Sequence, residues 1–165
     1  MLNGIKLMPE NNLISLNKEK TVCIIGLGYV GLPLFLEFSK YFNTLGFDND
    51  LSKIKNIKKN YNLDFKKNLL SNDPKKINSC DFIIVCLPTP INSKNKPDIS
   101  ILIKTSELIG KNIKKNSIVI YESTVYPTTT EKICLPIIEK NSGLKEGQDF
   151  HIGYSPERIN PGDNS

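Results

Sequence analysis

Hydrophobic positions along this chain follow two rhythms that take turns. Thr21-Val22-Cys23-Ile24-Ile25, Phe82-Ile83-Ile84-Val85-Cys86-Leu87 and Ser117-Ile118-Val119-Ile120-Tyr121 are short, nearly unbroken apolar runs rich in β-branched residues. A strand with one wet face alternates polar and apolar residues, so runs without alternation predict strands covered on both faces. Thr44-Leu45-Gly46-Phe47, Leu69-Leu70-Ser71 and Phe150-His151-Ile152-Gly153-Tyr154 read as further strands. The intervening stretches space their apolar residues helically: Leu32, Leu34, Phe35, Leu36 and Phe38; Leu51, Ile54, Ile57 and Tyr61; Ile99, Leu102, Ile103, Leu108 and Ile109; Ile133, Ile137 and Ile138. Strand and helix in alternation predict an α/β fold, a mostly parallel, doubly wound sheet with right-handed crossovers and helices on both faces.

Local signals place the ends of these elements. Ser52 is the expected cap of the second helix. Asp73-Pro74 predicts a brief helical turn with Asp73 as N-cap and Pro74 at the first helical position. The third helix is expected to end at Gly110 or at the lysines after it. Two starts compete for the last helix, Pro127 as its first residue or a capping box between Thr128 and Glu131. Asn141-Ser142-Gly143 ends it. Residues 1–20 form a polar N-terminal extension, and residues 21–165 read as one domain, with no internal repeat and no linker.

Charge and composition then narrow the partners. At 165 residues, 39% of them hydrophobic and 24% charged, the chain has the make-up of one globular domain with a real core. It has no apolar run near the roughly 20 residues that span a bilayer, and no basic-then-apolar leader, so a cytoplasmic protein with no membrane partner is expected. The net charge of +5 comes almost wholly from lysine, Arg158 being the only arginine. The lysine pairs are scattered between elements and frame no basic stripe with stacking aromatics, so no nucleic-acid partner is expected. The four cysteines form no C-x-x-C pair and read as buried structural thiols. A single histidine, His151, leaves no metal site of histidines and no Ser-His triad.

The chemistry gathers where strands end. Gly26, Gly28 and Gly31 form G-x-G-x-x-G straight after the first strand, with Leu27, Tyr29 and Val30 in the gaps. Gly26 serves the sharp turn, Gly28 the approach of a pyrophosphate to bare main chain, and Gly31 the close packing of helix on strand. Unpaired amides and the positive dipole end of the following helix hold phosphate oxygens. Pro33 is tolerated in the first turn. Asp48 stands 17 residues past Gly31 at the end of the next strand, near the spacing of the acid that binds the adenosine ribose. Its charge accepts from a 2′-hydroxyl and repels a 2′-phosphate, favouring NAD over NADP. A glycine-rich turn in another α/β domain, such as a methyltransferase, gives a similar string. Strand before, helix after and an acid at the next strand end point instead to a Rossmann-type dinucleotide domain. Pro88, Thr89 and Pro90, and then Glu122, Ser123 and Thr124, follow two further strands on the same edge and are expected to face the cofactor.

Four motifs in register now resemble a known family. Ile25-Gly26-Leu27-Gly28-Tyr29-Val30-Gly31-Leu32-Pro33, Leu87-Pro88-Thr89-Pro90, Glu122-Ser123-Thr124-Val125-Tyr126-Pro127 and Tyr154-Ser155-Pro156-Glu157-Arg158-Ile159-Asn160-Pro161-Gly162 are similar to the N-terminal NAD-binding domain of the UDP-glucose/GDP-mannose dehydrogenases. The last motif is most similar to the branch acting on UDP-N-acetylhexosamines. The resemblance implies oxidation of a sugar C6 alcohol to a carboxylate in two NAD+-dependent steps, with a cysteine of the C-terminal half trapping the aldehyde and forming a thioester. It implies that Gly26, Leu27, Gly28, Tyr29, Val30, Gly31, Asp48, Pro88, Thr89, Pro90, Ser123 and Thr124 line the cofactor. In the family, a threonine matching Thr124 orients the catalytic water and a glutamate matching Glu157 assists acid–base work or thioester hydrolysis. Many members carry glycine where Thr128 stands. Nothing here matches the family's F-G-G-x-C-F-P-K-D stretch, its catalytic lysine or its dimer helix. The expectation is a cofactor domain that binds NAD, acts on a UDP-sugar only within a longer enzyme that is a homodimer or larger, and is inactive and monomeric alone. A freestanding NAD-sensing module and another NAD-dependent dehydrogenase of related fold are the alternatives.

Overall fold

Six parallel strands form one sheet in the computed structural model, which describes residues 20–64, 67–90 and 97–155. They are β1 (Thr21–Ile25), β2 (Asn43–Phe47), β3 (Asn68–Ser71), β4 (Phe82–Val85), β5 (Ile118–Tyr121) and β6 (His151–Tyr154), in the spatial order β3-β2-β1-β4-β5-β6. The order reverses between β1 and β4, which opens a crevice at their carboxyl ends. The expected α/β, doubly wound architecture is the one observed. The expected segments 1–19, 91–96 and 156–165, Glu157 among them, lie outside the described residues.

Alternate residues of β1 feed two cores. Val22 and Ile24 join Phe35, Ile54, Ile57, Leu70 and Ile84 on one face, beneath α1 (Gly31–Phe38) and α2 (Leu51–Asn60). Cys23 and Ile25 join Ile83, Val85, Leu102, Ile109, Val119 and Ile138 on the other, beneath α3 (Ser100–Asn112) and α4 (Leu135–Ser142). This is why the strand sequences do not alternate: neither face meets water. Each fully buried aliphatic side chain is worth about 1.5–3 kcal/mol relative to exposure. The one phenol among the largest fully buried side chains, Tyr121, is satisfied by Ser106 Oγ at 2.6 Å. Burial pushes its ionisation well up, so it stays neutral.

Several ends differ from expectation. Asp50, not Ser52, caps α2, its carboxylate accepting from the amides of Ser52 (2.8 Å) and Lys53 (3.3 Å). A 3₁₀ turn, Pro74–Ser79, begins as expected with Asp73 accepting from the Lys75 amide. β4 stops at Val85, two residues early, because the chain turns out toward Pro88. Of the two ends expected for α3 the second holds, since the helix runs past Gly110 to Asn112 among the lysines; Gly110 lies inside it, facing α4. A Cβ there would sit 2.7 Å from Asn141 Cβ and 2.9 Å from the Ile138 carbonyl. Neither expected start of the last helix holds. Thr128 has φ +73°, in the left-handed region, and only its carbonyl is used, accepting from Lys132 N–H at 2.8 Å. A π-turn, Thr130–Cys134, follows and leads into α4, which ends as expected at Gly143, φ +71°.

Two substitutions check this packing. Thr128→Gly relieves a β-branched residue from a left-handed backbone, and after the entropy glycine costs it is expected to stabilise by about 0.5–1 kcal/mol, or roughly 1–4 °C in Tm. Gly110→Ala gains helix propensity but drives a methyl into fixed atoms, and a net loss of about 1–2 kcal/mol in urea unfolding is expected.

Candidate functional site

The turn leaving β1 is built by main chain meeting main chain. Gly26 has φ +91°, and its amide donates to the Phe47 carbonyl at 2.9 Å, so the turn is moored to the end of β2. A Cβ on Gly31 would lie 1.9 Å from the Gly26 carbonyl oxygen, which no side chain survives. Gly28 is the opposite case: a Cβ there meets nothing within 4 Å, since the residue faces the open cleft. Among the described residues, the amides of Gly28, Tyr29 and Val30 donate to no protein atom. They precede the first turn of α1, so they add to the positive end of its dipole.

Asp48 stands at the carboxyl end of β2, 8% exposed, and its carboxylate takes three bonds from the protein, which leaves acceptor capacity on Oδ1. Oδ2 accepts from the Leu27 amide at 2.9 Å and from Lys53 Nζ at 2.7 Å, while Oδ1 accepts from the Asp50 amide at 3.0 Å. Leu27 itself is buried in the core, and its amide is taken by Asp48, so of the loop residues it presents least to a ligand. Lys53 was not singled out from the sequence. The signal for it was the helix start: once Asp50 caps α2, the third helical residue leans back over the strand end.

Two cavities flank this turn. One, of about 300 Å³, is lined by Gly26, Gly28, Phe47, Asp48, Lys53 and, from α3, Ile101, Thr105 and Leu108. The other, of about 340 Å³, is lined by Gly28, Tyr29, Val30, Thr89, Glu122, Ser123 and Thr124. They share Gly28, Cys86, Leu87 and Pro88 as a common wall. Of these three α3 residues only Leu108 belongs to the apolar stripe that predicts the helix, and such a stripe does not reveal which of its turns overhangs a strand end. Pro90 lies in neither lining, its carbonyl accepting from Asp98 N–H at 2.7 Å. Thr89 Oγ1 donates to the Thr124 carbonyl at 2.6 Å, and Ser123 Oγ bonds the main chain of Leu87. A dinucleotide has two nucleoside halves joined by a pyrophosphate, and two cavities joined at Gly28, with uncommitted amides between them, fit that shape.

The remaining candidate groups are the thiols and the amino end of the sheet. All four cysteines are buried and outside any disulfide, with Cys86 in the shared wall of the cleft, and burial pushes the thiols of Cys23 and Cys134 up, away from the thiolate a nucleophile needs. A third cavity, of about 230 Å³, opens at the amino end of the sheet beside Asp81 and His151. Although burial opposes it, the Thr21 amide, Lys114 and Lys20 hold the Asp81 carboxyl below its usual range, so that carboxylate is already satisfied by the protein.

Comparison with known proteins agrees with this geometry. The family model described as UDP-glucose/GDP-mannose dehydrogenase family, NAD binding domain, matches residues 20–165. Protein CapL of Staphylococcus aureus is 47% identical over 154 residues, which cover 88% of this chain and 36% of that protein. The UDP-N-acetyl-D-glucosamine 6-dehydrogenase of Salmonella typhi is 46% identical over 155 residues, with the same coverages of 88% and 36%. Among solved structures, UDP-D-ManNAc dehydrogenase from Pyrococcus horikoshii matches with a TM-score of 0.77 at 28% identity, over 86% of this chain and 37% of that one. A ternary complex of GDP-mannose dehydrogenase from Pseudomonas aeruginosa matches with a TM-score of 0.75 at 26% identity, over 84% of this chain and 36% of that one. The chain thus spans about 36% of the length of the curated relatives it matches.

The Asp48 carboxylate has a structural duty that mutagenesis will expose. Asp48→Ala strands the Leu27 amide and is expected to cost about 2 kcal/mol, or roughly 4–8 °C in Tm, whereas Asp48→Asn keeps an acceptor oxygen and is expected to cost less than half of that. Thermal unfolding by circular dichroism measures both.

Proposed function

The chain belongs to the UDP-glucose/GDP-mannose dehydrogenase family as its NAD-binding domain, and from that premise we propose that it is the cofactor half of an enzyme oxidising the C6 alcohol of a UDP-hexose or UDP-N-acetylhexosamine to the carboxylate in two steps. The observation that carries this reading is the double cleft at the strand carboxyl ends, with bare glycine main chain between its halves and Asp48 in one of them. The relatives that are 47% and 46% identical, the second of them a UDP-N-acetyl-D-glucosamine 6-dehydrogenase, favour the N-acetylhexosamine branch.

NAD supplies the hydride acceptor when bound. In this reading, residues 21–165 are the cofactor domain and residues 1–20 an extension of it. Gly28, Tyr29 and Val30 offer amides to the pyrophosphate, and Asp48 with Lys53 holds the adenosine ribose. Gly26 and Gly31 shape the turn, Leu27 ties it to Asp48, and Pro88, Thr89 and Pro90 stiffen the opposite wall. Ser123 and Thr124 bound the second half of the cleft. Thr124 is exposed on that rim, and the reading gives its hydroxyl the role of orienting the water whose oxygen enters the product. Glu157, outside the described residues, keeps the acid–base role its motif implies. The trapping nucleophile and the sugar site belong to the remainder of a full-length enzyme, which we place in the cytoplasm as a homodimer or larger assembly, with this domain monomeric by itself. Among the described residues no helix is long and apolar enough to cross a membrane.

Titration with NAD+ and NADP+ tests the reading. NAD+ is expected to bind more tightly, and Asp48→Asn to narrow the gap by removing the charge that repels a 2′-phosphate while leaving the turn moored. Equal affinities in wild type and variant would remove Asp48 from this role. With UDP-N-acetylglucosamine present, no sustained rise of absorbance at the NADH band is expected from this chain alone; steady turnover would refute the assignment of chemistry to another part of the enzyme.

A further inference from the structure

The two loops that wall the second half of the cleft are joined by hydroxyls rather than by strand pairing. The backbone ladder between β4 and β5 ends with the Glu122 amide donating to the Val85 carbonyl at 3.0 Å. Beyond it, Ser123 Oγ donates to the Leu87 carbonyl at 2.6 Å and accepts from the Leu87 amide at 3.1 Å. One side chain thus satisfies both main-chain polar groups of a residue that has left its strand. Ser123 is only 5% exposed. Two residues further along the first loop, Thr89 Oγ1 reaches the Thr124 carbonyl at 2.6 Å. The bridges interlock, 87 with 123 and 89 with 124, across Pro88, which has no amide to contribute.

The position of Ser123 suggests a contact with the cofactor, but its single proton is committed to Leu87 and it has none to donate. We propose that Ser123 is a positioning residue of the cleft: its hydroxyl fixes the gap between the Leu87-Pro88 wall and the Glu122–Thr124 wall, and so holds the nicotinamide half in shape. The inference rests on the NAD-binding reading. Leu87 and Pro88 border both cavities, but Glu122, Ser123 and Thr124 line only the second. The adenosine half has Asp48, Lys53 and the glycine turn as further holds, none hydrogen-bonded to Ser123, so the gap Ser123 sets weighs more on the nicotinamide half.

The test uses the 165-residue chain and two probes, NADH followed by nicotinamide fluorescence and ADP followed by calorimetry. Ser123→Ala is expected to weaken NADH about five- to tenfold, the equivalent of one net hydrogen bond, to reduce the nicotinamide emission enhancement, and to leave ADP within about twofold. Ser123→Thr, which keeps the hydroxyl, is expected to restore NADH binding. Thr89→Val removes the outer bridge at the rim and is expected to show the same NADH-selective loss, which keeps the test alive if Ser123→Ala does not fold. Parallel loss of NADH and ADP would make Ser123 a general structural residue and overturn the proposal, as would unchanged NADH affinity or no difference between Ala and Thr. A wild-type chain that binds ADP but not NADH would overturn it while leaving the adenosine half in place; one that binds neither removes the NAD reading as well.

Discussion

One carboxylate ties this domain's sheet to its glycine turn. Asp48 closes β2, and from there it takes the amide of Leu27, the amide of Asp50 and the ammonium of Lys53. The first bond fixes the direction in which the chain leaves β1, the second starts α2, and the third draws a helix side chain over the cleft. A buried amide without a partner costs about 1–3 kcal/mol, and the loop conformation and the negative charge at the first cavity come from one group. Fold stability and the proposed cofactor contact therefore overlap at this residue, and they separate only in substitutions that keep an acceptor atom.

The sheet supplies the frame for that bond. Because β1 gives alternate residues to two cores, its end cannot shift without disturbing both helical layers. The amides just past the strand ends continue the ladders: Gly26 to Phe47, Cys86 to Ile25 and Glu122 to Val85. They bring the turns after β1, β4 and β5 to a common level at the reversal of strand order. The cleft is the space those turns leave when the helices diverge to opposite faces.

Polar groups around the cleft divide between those that face it and those that hold it. Lys53, Thr124 and the amides of Gly28, Tyr29 and Val30 face it. Leu27 serves through its amide alone, and the hydroxyls of Thr89 and Ser123 bond main chain across the two loops. Thr128 shows the same division on the outer side. It adopts a left-handed backbone that glycine takes without strain, and the π-turn after it lets the chain re-enter a helix toward α4.

The strands, their parallel pairing and the glycine turn were legible in the sequence because each depends on local pattern: unbroken apolar runs, alternation of element types, and spaced glycines, of which Gly26 and Gly31 stand where a Cβ would be blocked. The identity of the acid at the end of β2 was legible too, from its distance along the chain. Asp50 in place of Ser52 as the cap, Gly110 inside α3 and the late start of the last helix were not, because each is set by a neighbour distant in sequence or by a backbone angle that residue type alone does not dictate. Lys53, Ile101, Thr105 and Leu108 join the cleft only because helices α2 and α3 come to rest over strand ends. The sequence alone determined which residues are apolar and where the main chain must be bare. Tertiary packing decided which polar atoms spend their hydrogen bonds on the protein and which remain for a ligand, since that depends on distances between segments that the order of residues does not contain.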